Sequence, residues 1–345
     1  KTMSTVRDFI VTGNTKDSSD GHVTNRVWWS GFNNEENWTP GTNQSDFQDL
    51  QGHGGVIQKI VGGEYGIVFQ ERSIWRMSYV GTPLVFQFDE IEPGLGTPAK
   101  NSVVQHGADI YYLGQDGFYV LRNGTRSEPI GINKVDKFFL NDVNESFFNR
   151  VSGTVSREHS VIIWAYPSQD STGNPDKFLI FNYKTGKWST ALTDVQILFK
   201  GATNALTLED LDAYGSLDEL QVSLDSDVWK GGSTQLAAFN PSNKLSFFSG
   251  SILSATLETG EISTDNALTS LKSVRPIVDG DCTVTVATRN NLTDSPAEGQ
   301  ATSLDGTKKA NIRTHARYHR IKVITSGDFT HAQGIEPQVK SRGRR

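Results

Sequence analysis

Seven histidines, 39 carboxylates and one thiol are the groups able to carry chemistry in this chain. The tightest histidine pair is His315 and His319. A His-x3-His spacing holds zinc when a helix stacks both rings on one face, and a metalloprotease then needs Glu where this chain has Ala316. The residues beside the pair, Arg317 to Thr325, read as a strand, in which four residues span about 13 Å, so no metal is assigned. Asp225 and Asp227, like Glu209, Asp210 and Asp212, form carboxylate clusters without the ladder, glycine and distal Glu of an EF-hand loop. They read as solvated acidic loops. Glu90 and Glu92 suit a glycosidase pair only if the fold sets the right separation. Gln115-Asp116-Gly117 is the nearest approach to a sialidase Asp-box and lacks its Ser and Trp. No Gly-x-Ser-x-Gly elbow and no Walker loop is present, and Gly62 to Gly66 reads as a turn. Cys282 lies in an alternating strand with no supporting His, which suits a buried thiol. These residues assign no catalytic, metal or cofactor site.

The elements that would position any site are strands. Short β-branched or aromatic runs bounded by Gly, Asn and Asp recur, and helical periodicity is scarce. Strands are expected at 56–61, 66–70, 73–80, 84–88, 109–113, 117–121, 161–166, 177–183, 235–240, 245–249, 282–287 and 318–325. Gly114 to Gly117 and Asn123-Gly124 are hairpin turns. Short helices are expected over 133–140, capped by Asn133, and over 207–213. Residues 65–77, 108–121 and 159–189 echo one another as strand, polar turn, strand. The last resembles a kelch-type blade. Together they predict an all-β chain, a β-propeller, with a pair of β-sandwiches as the structural alternative. Trp75, Trp164 and Trp188 read as packing between blades. Adjacent Trp28 and Trp29 point to opposite faces if extended. A composition shift places a soft boundary near Gly260: a propeller over 1–260, lacking its N-terminal part if Lys1 marks an internal start, then a β-rich segment over 261–345, either a closing blade or a small sandwich.

At 345 residues and a formal charge of −6 the chain can bury a full core, and it is no whole-chain basic nucleic-acid binder. No run approaches the roughly 18 apolar residues of a membrane helix. A single cysteine excludes an intramolecular disulfide framework. Charge is uneven. Residues 313–345 hold eight Lys and Arg against two acids, ending in a basic tail, whereas residues 190–230 hold eight acids against two Lys. If Glu209, Asp210, Asp212, Asp218, Glu219, Asp225 and Asp227 lined a pore, they would repel phosphates and keep DNA from sticking.

Several blocks in order, residues 27–41, 45–98, 114–139, 207–232 and 317–337, resemble tail-tube and nozzle proteins of short-tailed bacteriophages, the packaged-DNA stabilisation group. The resemblance runs from about Arg26 to the end. It implies a structural virion protein on a propeller, forming a homo-oligomeric ring, typically a hexamer, below the portal and adaptor. Such a ring retains packaged double-stranded DNA and conducts it at ejection, after assembly in the host cytoplasm. It implies a protein that is not an enzyme, and it brings no cofactor. The positions that match are structural: Trp75 and Arg76, Gly117 and Phe118, Trp229 and Gly231, Arg317 and Tyr318. The residues themselves leave two alternatives open, a carbohydrate- or receptor-binding tail-tip propeller and a propeller glycosidase.

Overall fold

The computed structural model describes residues 1–202, 234–248, 252–263, 267–327 and 329–341. The chain divides into two compact units, Lys1–Phe248 and Ser249–Arg345.

In the first unit the chain folds back on itself four strands at a time, always antiparallel and always to the sequence neighbour. Blade 1 holds β1 (Thr2–Val6), β2 (Phe9–Asp17), β3 (Gly21–Trp29) and β4 (Asp46–Asp49). Blade 2 holds β5 (Ile57–Val61), β6 (Gly66–Gln70), β7 (Ser73–Gly81) and β8 (Val85–Pro93). Blade 3 holds β9 (Val104–His106), β10 (Asp109–Leu113), β11 (Phe118–Arg122) and β12 (Arg126–Pro129). Helix α1 (Asp136–Asp142) leads to blade 4, with β13 (Ser152–Ser156), β14 (Val161–Tyr166), β15 (Lys177–Asn182) and β16 (Lys187–Leu192). A further sheet holds β17 (Ile197–Ala202), β18 (Thr234–Phe239) and β19 (Leu245–Phe247).

Period two explains why these sheets stack. Successive side chains of a strand face opposite ways, so a strand apolar at every position needs cover on both sides. All five residues of β6 are buried. Val68 enters the core shared with blade 1, beside Val11 and Trp29, while Ile67 and Phe69 enter the core shared with blade 3. In β10, Ile110 and Tyr112 face blade 2, and Tyr111 and Leu113 face blade 4. In β14, Ile162, Trp164 and Tyr166 face blade 3, and Ile163 and Ala165 face the β17–β19 sheet. Blades 2, 3 and 4 are thus each a layer between two others, and the unit is a β-propeller.

Three strands lie where the sequence reads as polar: β1, β2 and β3 occupy residues 2–29. Their inward positions include Gly13 and Asn14, the latter buried and donating from Nδ2 to the Ile57 carbonyl at 3.3 Å. The helix expected over 133–140 forms later, at 136–142, with no side-chain cap. Its leading N–H groups, those of Lys134, Val135 and Asp136, converge on the Gly131 carbonyl instead. The helix expected over 207–213 lies outside the described residues.

The second unit is a small sandwich. One sheet holds β20 (Thr256–Glu258), β22 (Cys282–Arg289), β23 (Ala297–Glu298), β24 (Thr302–Ser303) and β26 (Tyr318–Thr325). The other holds β21 (Thr269–Val278), β25 (Thr314–Ala316) and β27 (Ala332–Ser341). Leu271, Val274, Val284, Val286, Ile321 and Val323 share one core between them. β20 pairs with β26, which puts Thr256 to Glu258 in this unit, ahead of the boundary expected at Gly260.

Candidate functional site

The aromatic residues singled out from sequence meet at the junction of blades 3 and 4. Phe118 on β11, Trp164 on β14 and Trp188 on β16 have ring centroids 4.7 Å (Phe118–Trp164), 5.3 Å (Phe118–Trp188) and 5.8 Å (Trp164–Trp188) apart. Phe139 of α1 closes the cluster at 4.8 Å from Phe118. A buried indole needs an acceptor for its N–H. Trp164 Nε1 donates to the Ser102 carbonyl at 2.8 Å and Trp188 Nε1 to the Ile130 carbonyl at 3.3 Å, so each ring ties its blade to backbone of the preceding segment. Gly117 sits at φ +152°, and a Cβ there would lie 2.4 Å from Asp136 Cγ. Glycine is what lets the β10–β11 turn close over that carboxylate, whose Oδ1 accepts the Phe118 N–H at 3.1 Å. Burial pushes the Asp136 carboxyl up, with nearby Asp116 adding to the shift and the Phe118 N–H opposing it.

Trp75 and Arg76 are not part of this cluster. Trp75 is half-buried against the core of blades 1 and 2, with Nε1 donating to Gln70 Oε1 at 2.9 Å and Ser73 Oγ at 3.0 Å. The Arg76 guanidinium lies 4.3 Å from the centroid of the Tyr65 ring. Arg317 and Tyr318 belong to the second unit, where the Arg317 N–H donates to Asn290 Oδ1 and Arg289 lies over the Tyr318 ring. Trp29 is buried, and Trp28 packs on Phe47 at 5.3 Å. Trp229, Gly231 and the acidic residues Glu209, Asp210, Asp212, Asp218, Glu219, Asp225 and Asp227 lie outside the described residues.

The first strands of successive blades touch: β1 meets β5, and β13 meets both β9 and β17. In a propeller these innermost strands border the central channel. Their charged side chains are Lys59 on β5 and Lys200 on β17, with His106 on β9; no Asp or Glu occurs on β1, β5, β9, β13 or β17. Burial, with Arg157 adding like charge, pulls the Lys200 ammonium below its ordinary value.

The carboxylates lie elsewhere and most are engaged. Arg26, buried in blade 1, holds Asp49 through two bonds at 2.7 and 3.0 Å, Asp20 at 2.6 Å and Asp17 at 3.4 Å, with its guanidinium 3.9 Å from the Phe47 ring centroid. Asp49 first, and then Asp20, push its pKa upward against the opposing effect of burial. Glu92 Oε1 accepts the Ser127 N–H at 2.6 Å and so ties β8 to β12, whereas Glu90 stands across from Trp75. A cavity of about 260 Å³ between blades 2 and 3 holds one carboxylate, Glu64, which Arg7 meets at 3.3 Å. His319 is buried with Nε2 2.9 Å from Thr269 Oγ1, and His315 is exposed in a separate cavity. Among the described residues no three His, Cys, Asp or Glu side chains gather as a metal site.

One grouping was missed from sequence. A cavity of about 450 Å³ in the second unit is lined by Lys272, Arg313 and His315 together with Ser270, Ser273, Asn311 and Gln338. Its signal is the alternation over 311–316, polar at Asn311, Arg313 and His315 and buried at Ile312 and Ala316.

No family model matches the chain and no curated protein matches it. Solved structures resemble it over nearly its whole length. One is an exo-β-1,3-galactanase from Phanerochaete chrysosporium with galactose, at 10% identity over 98% of this chain and 95% of that one, TM-score 0.32. Another is a glycoside hydrolase family 43 arabinoxylan arabinofuranohydrolase from Bacillus subtilis in complex with cellotetraose, at 8% identity over 99% and 95%, TM-score 0.28. A third is titled a glycoside hydrolase, at 11% identity over 98% and 96%, TM-score 0.25. At these scores the likeness carries no residue-level correspondence. The expectation of a chain that is not an enzyme is corrected: the three solved structures named above are glycoside hydrolases.

Proposed function

We propose that the chain is a structural subunit of a phage tail, one copy of a sixfold nozzle or hub ring that retains packaged DNA and conducts it at ejection. The observation that supports it most is where the resembling sequence blocks fall. Residues 45–98 span β4 to β8, the whole of blade 2, and residues 114–139 span β11, β12 and the start of α1. The matched positions Gly117 and Phe118 lie in the turn and strand that lock blade 3 to blade 4. Close-packed antiparallel blades suit a load-bearing ring, because few strand edges are left to pair elsewhere. The test is a reconstruction of virions of the encoding phage without imposed icosahedral symmetry. A sixfold ring of this chain on the tail axis is expected. Copies on peripheral fibres, or none, would refute it.

A second reading, a propeller glycosidase, is favoured by one observation. Asp136 is a buried carboxyl raised in pKa, with Asp116 close enough to raise it further. A raised acid beside a second carboxyl group is the pairing that glycoside hydrolysis uses. Incubation with β-1,3-galactan and arabinoxylan, reading released sugar, tests it. Release that Asp136→Asn abolishes supports this reading, and no release from either polymer sinks it.

A further inference from the structure

In the β25–β21–β27 sheet of the second unit the two faces differ completely. Leu271 and Val274 turn toward the sandwich core, joined by Ile312 and Val339. The opposite face collects donors. Ser270 stands across from His315 of β25 on one side and from Lys340 of β27 on the other, and residues directly opposite share a face. Lys272 and Arg313 are exposed into the same cavity of about 450 Å³. Among the described residues Lys272, Arg313 and His315 form no ion pair. Among the described residues no carboxylate lines the cavity. Asp305 accepts from Asn311 Nδ2 at 2.7 Å and is otherwise occupied by the amides of Thr307 and Lys309 and the Thr307 hydroxyl. Gln338 spends its oxygen on the Ser273 hydroxyl at 2.9 Å, which leaves its amide nitrogen for the cavity.

We propose that this cavity is a phosphate site. A guanidinium fork, an ammonium and an imidazole come from two strands and the segment leading into one of them, with hydroxyl and amide donors between them. Such a set meets several oxygens of one tetrahedral anion, which a single carboxylate cannot use. The volume falls within the range of about 300–1,000 Å³ typical of ligand pockets, so there is room for the group that carries the phosphate. The shared chemistry is the phosphate oxyanion; free phosphate and the phosphodiester of a nucleic acid are the two sources to be separated. The inference stands on this cavity alone and is independent of the nozzle reading.

The experiment is calorimetric titration of the full chain with sodium phosphate and, separately, with a duplex of about 12 base pairs at roughly 50 and 200 mM salt. The variant is Lys272→Gln with Arg313→Gln, both at exposed positions outside the core. Lys184→Gln, an exposed cation on the β15–β16 turn, is the control for loss of a single surface charge. Phosphate affinity is expected to fall by about tenfold or more in the double variant and stay within about twofold in the control, with Arg313→Lys recovering part of the loss. If nucleic acid is the source, the duplex also binds, and the double variant lowers the log–log salt slope by about 2, near 0.9 for each phosphate no longer neutralised. Binding of phosphate without the duplex assigns the free anion. Failure of both ligands to bind, or an equal loss in Lys184→Gln, overturns the site. Superposable melting curves for the variants establish that the loss is one of binding.

Discussion

Removing the Trp164 ring tests whether the aromatic cluster is what holds blades 3 and 4 together. Trp164 is fully buried, packs on Phe118 at 4.7 Å and donates to the Ser102 carbonyl at 2.8 Å. Truncating such a ring to Ala costs about 3–5 kcal/mol through forfeited transfer energy and the cavity left behind. Part of that is the Ser102 carbonyl losing its donor, about 1 kcal/mol or more. For a unit of this size each kcal/mol moves the melting temperature by about 2–4 °C, so Trp164→Ala is expected to lower it by about 6–20 °C. Trp188 is only half-buried and its indole bond is longer, at 3.3 Å, so Trp188→Ala should cost about half as much. The stacked pair should show a coupling of about 0.5–1.5 kcal/mol in a double-mutant cycle. Urea and thermal unfolding followed by tryptophan fluorescence and far-UV circular dichroism supply all three numbers. A loss for Trp164→Ala smaller than that for Trp188→Ala would refute the reasoning, because it would place the junction's stability outside the buried ring.

Arg26→Met removes the one cation from three carboxylates, and its buried position predicts a loss of about 2–3 kcal/mol, larger at low salt because Asp17, Asp20 and Asp49 then repel one another; urea unfolding at two ionic strengths checks it. The raised Asp136 carboxyl binds its proton more tightly folded than unfolded, so its contribution to stability falls as pH rises from about 4 toward the raised value. Asp136→Asn should flatten that part of the stability–pH curve, and an unchanged slope would place the titration elsewhere. His319 behaves in the opposite sense: burial lowers its pKa, so the unfolded chain holds the proton more tightly and stability drops as pH falls from about 6.5 toward the lowered value. Hydrogen exchange of the second unit between those limits, compared with His319→Gln, measures the effect.

Strands apolar on both faces were legible with correct ends, because a layer between two layers needs an uninterrupted apolar run. Residues 66–70, 109–113 and 161–166 are of this kind. Residues 318–325 were legible through alternation instead. The strands of blade 1 were hidden because inward positions are filled by Gly13, into whose place a Cβ would strike Ile57 and Ile60, and by Asn14, whose amide is satisfied across the blade interface. A buried asparagine and a close-approach glycine both read as surface in one dimension. The α1 start slipped by three residues because its cap is the Gly131 carbonyl rather than the side chain of Asn133. The phosphate cavity was illegible for another reason. Its donors come from residues 270–273, 311–315 and 338, and only the register of three strands brings them to one face.

The two units also differ in when they can exist during synthesis. Every hairpin of blades 1 to 4 joins neighbours in sequence, so each blade has all its strands once its last residue leaves the ribosome, and the next blade can condense on it in turn. The second unit has no such order. Thr256 waits for Ile324, and Thr269 waits for Ser341. Its central strands β21 and β22 are made early and stay without their main partners until β26 and β27 have followed. A ribosome stalled near residue 330 should therefore carry a protease-resistant propeller followed by a cleavable tail.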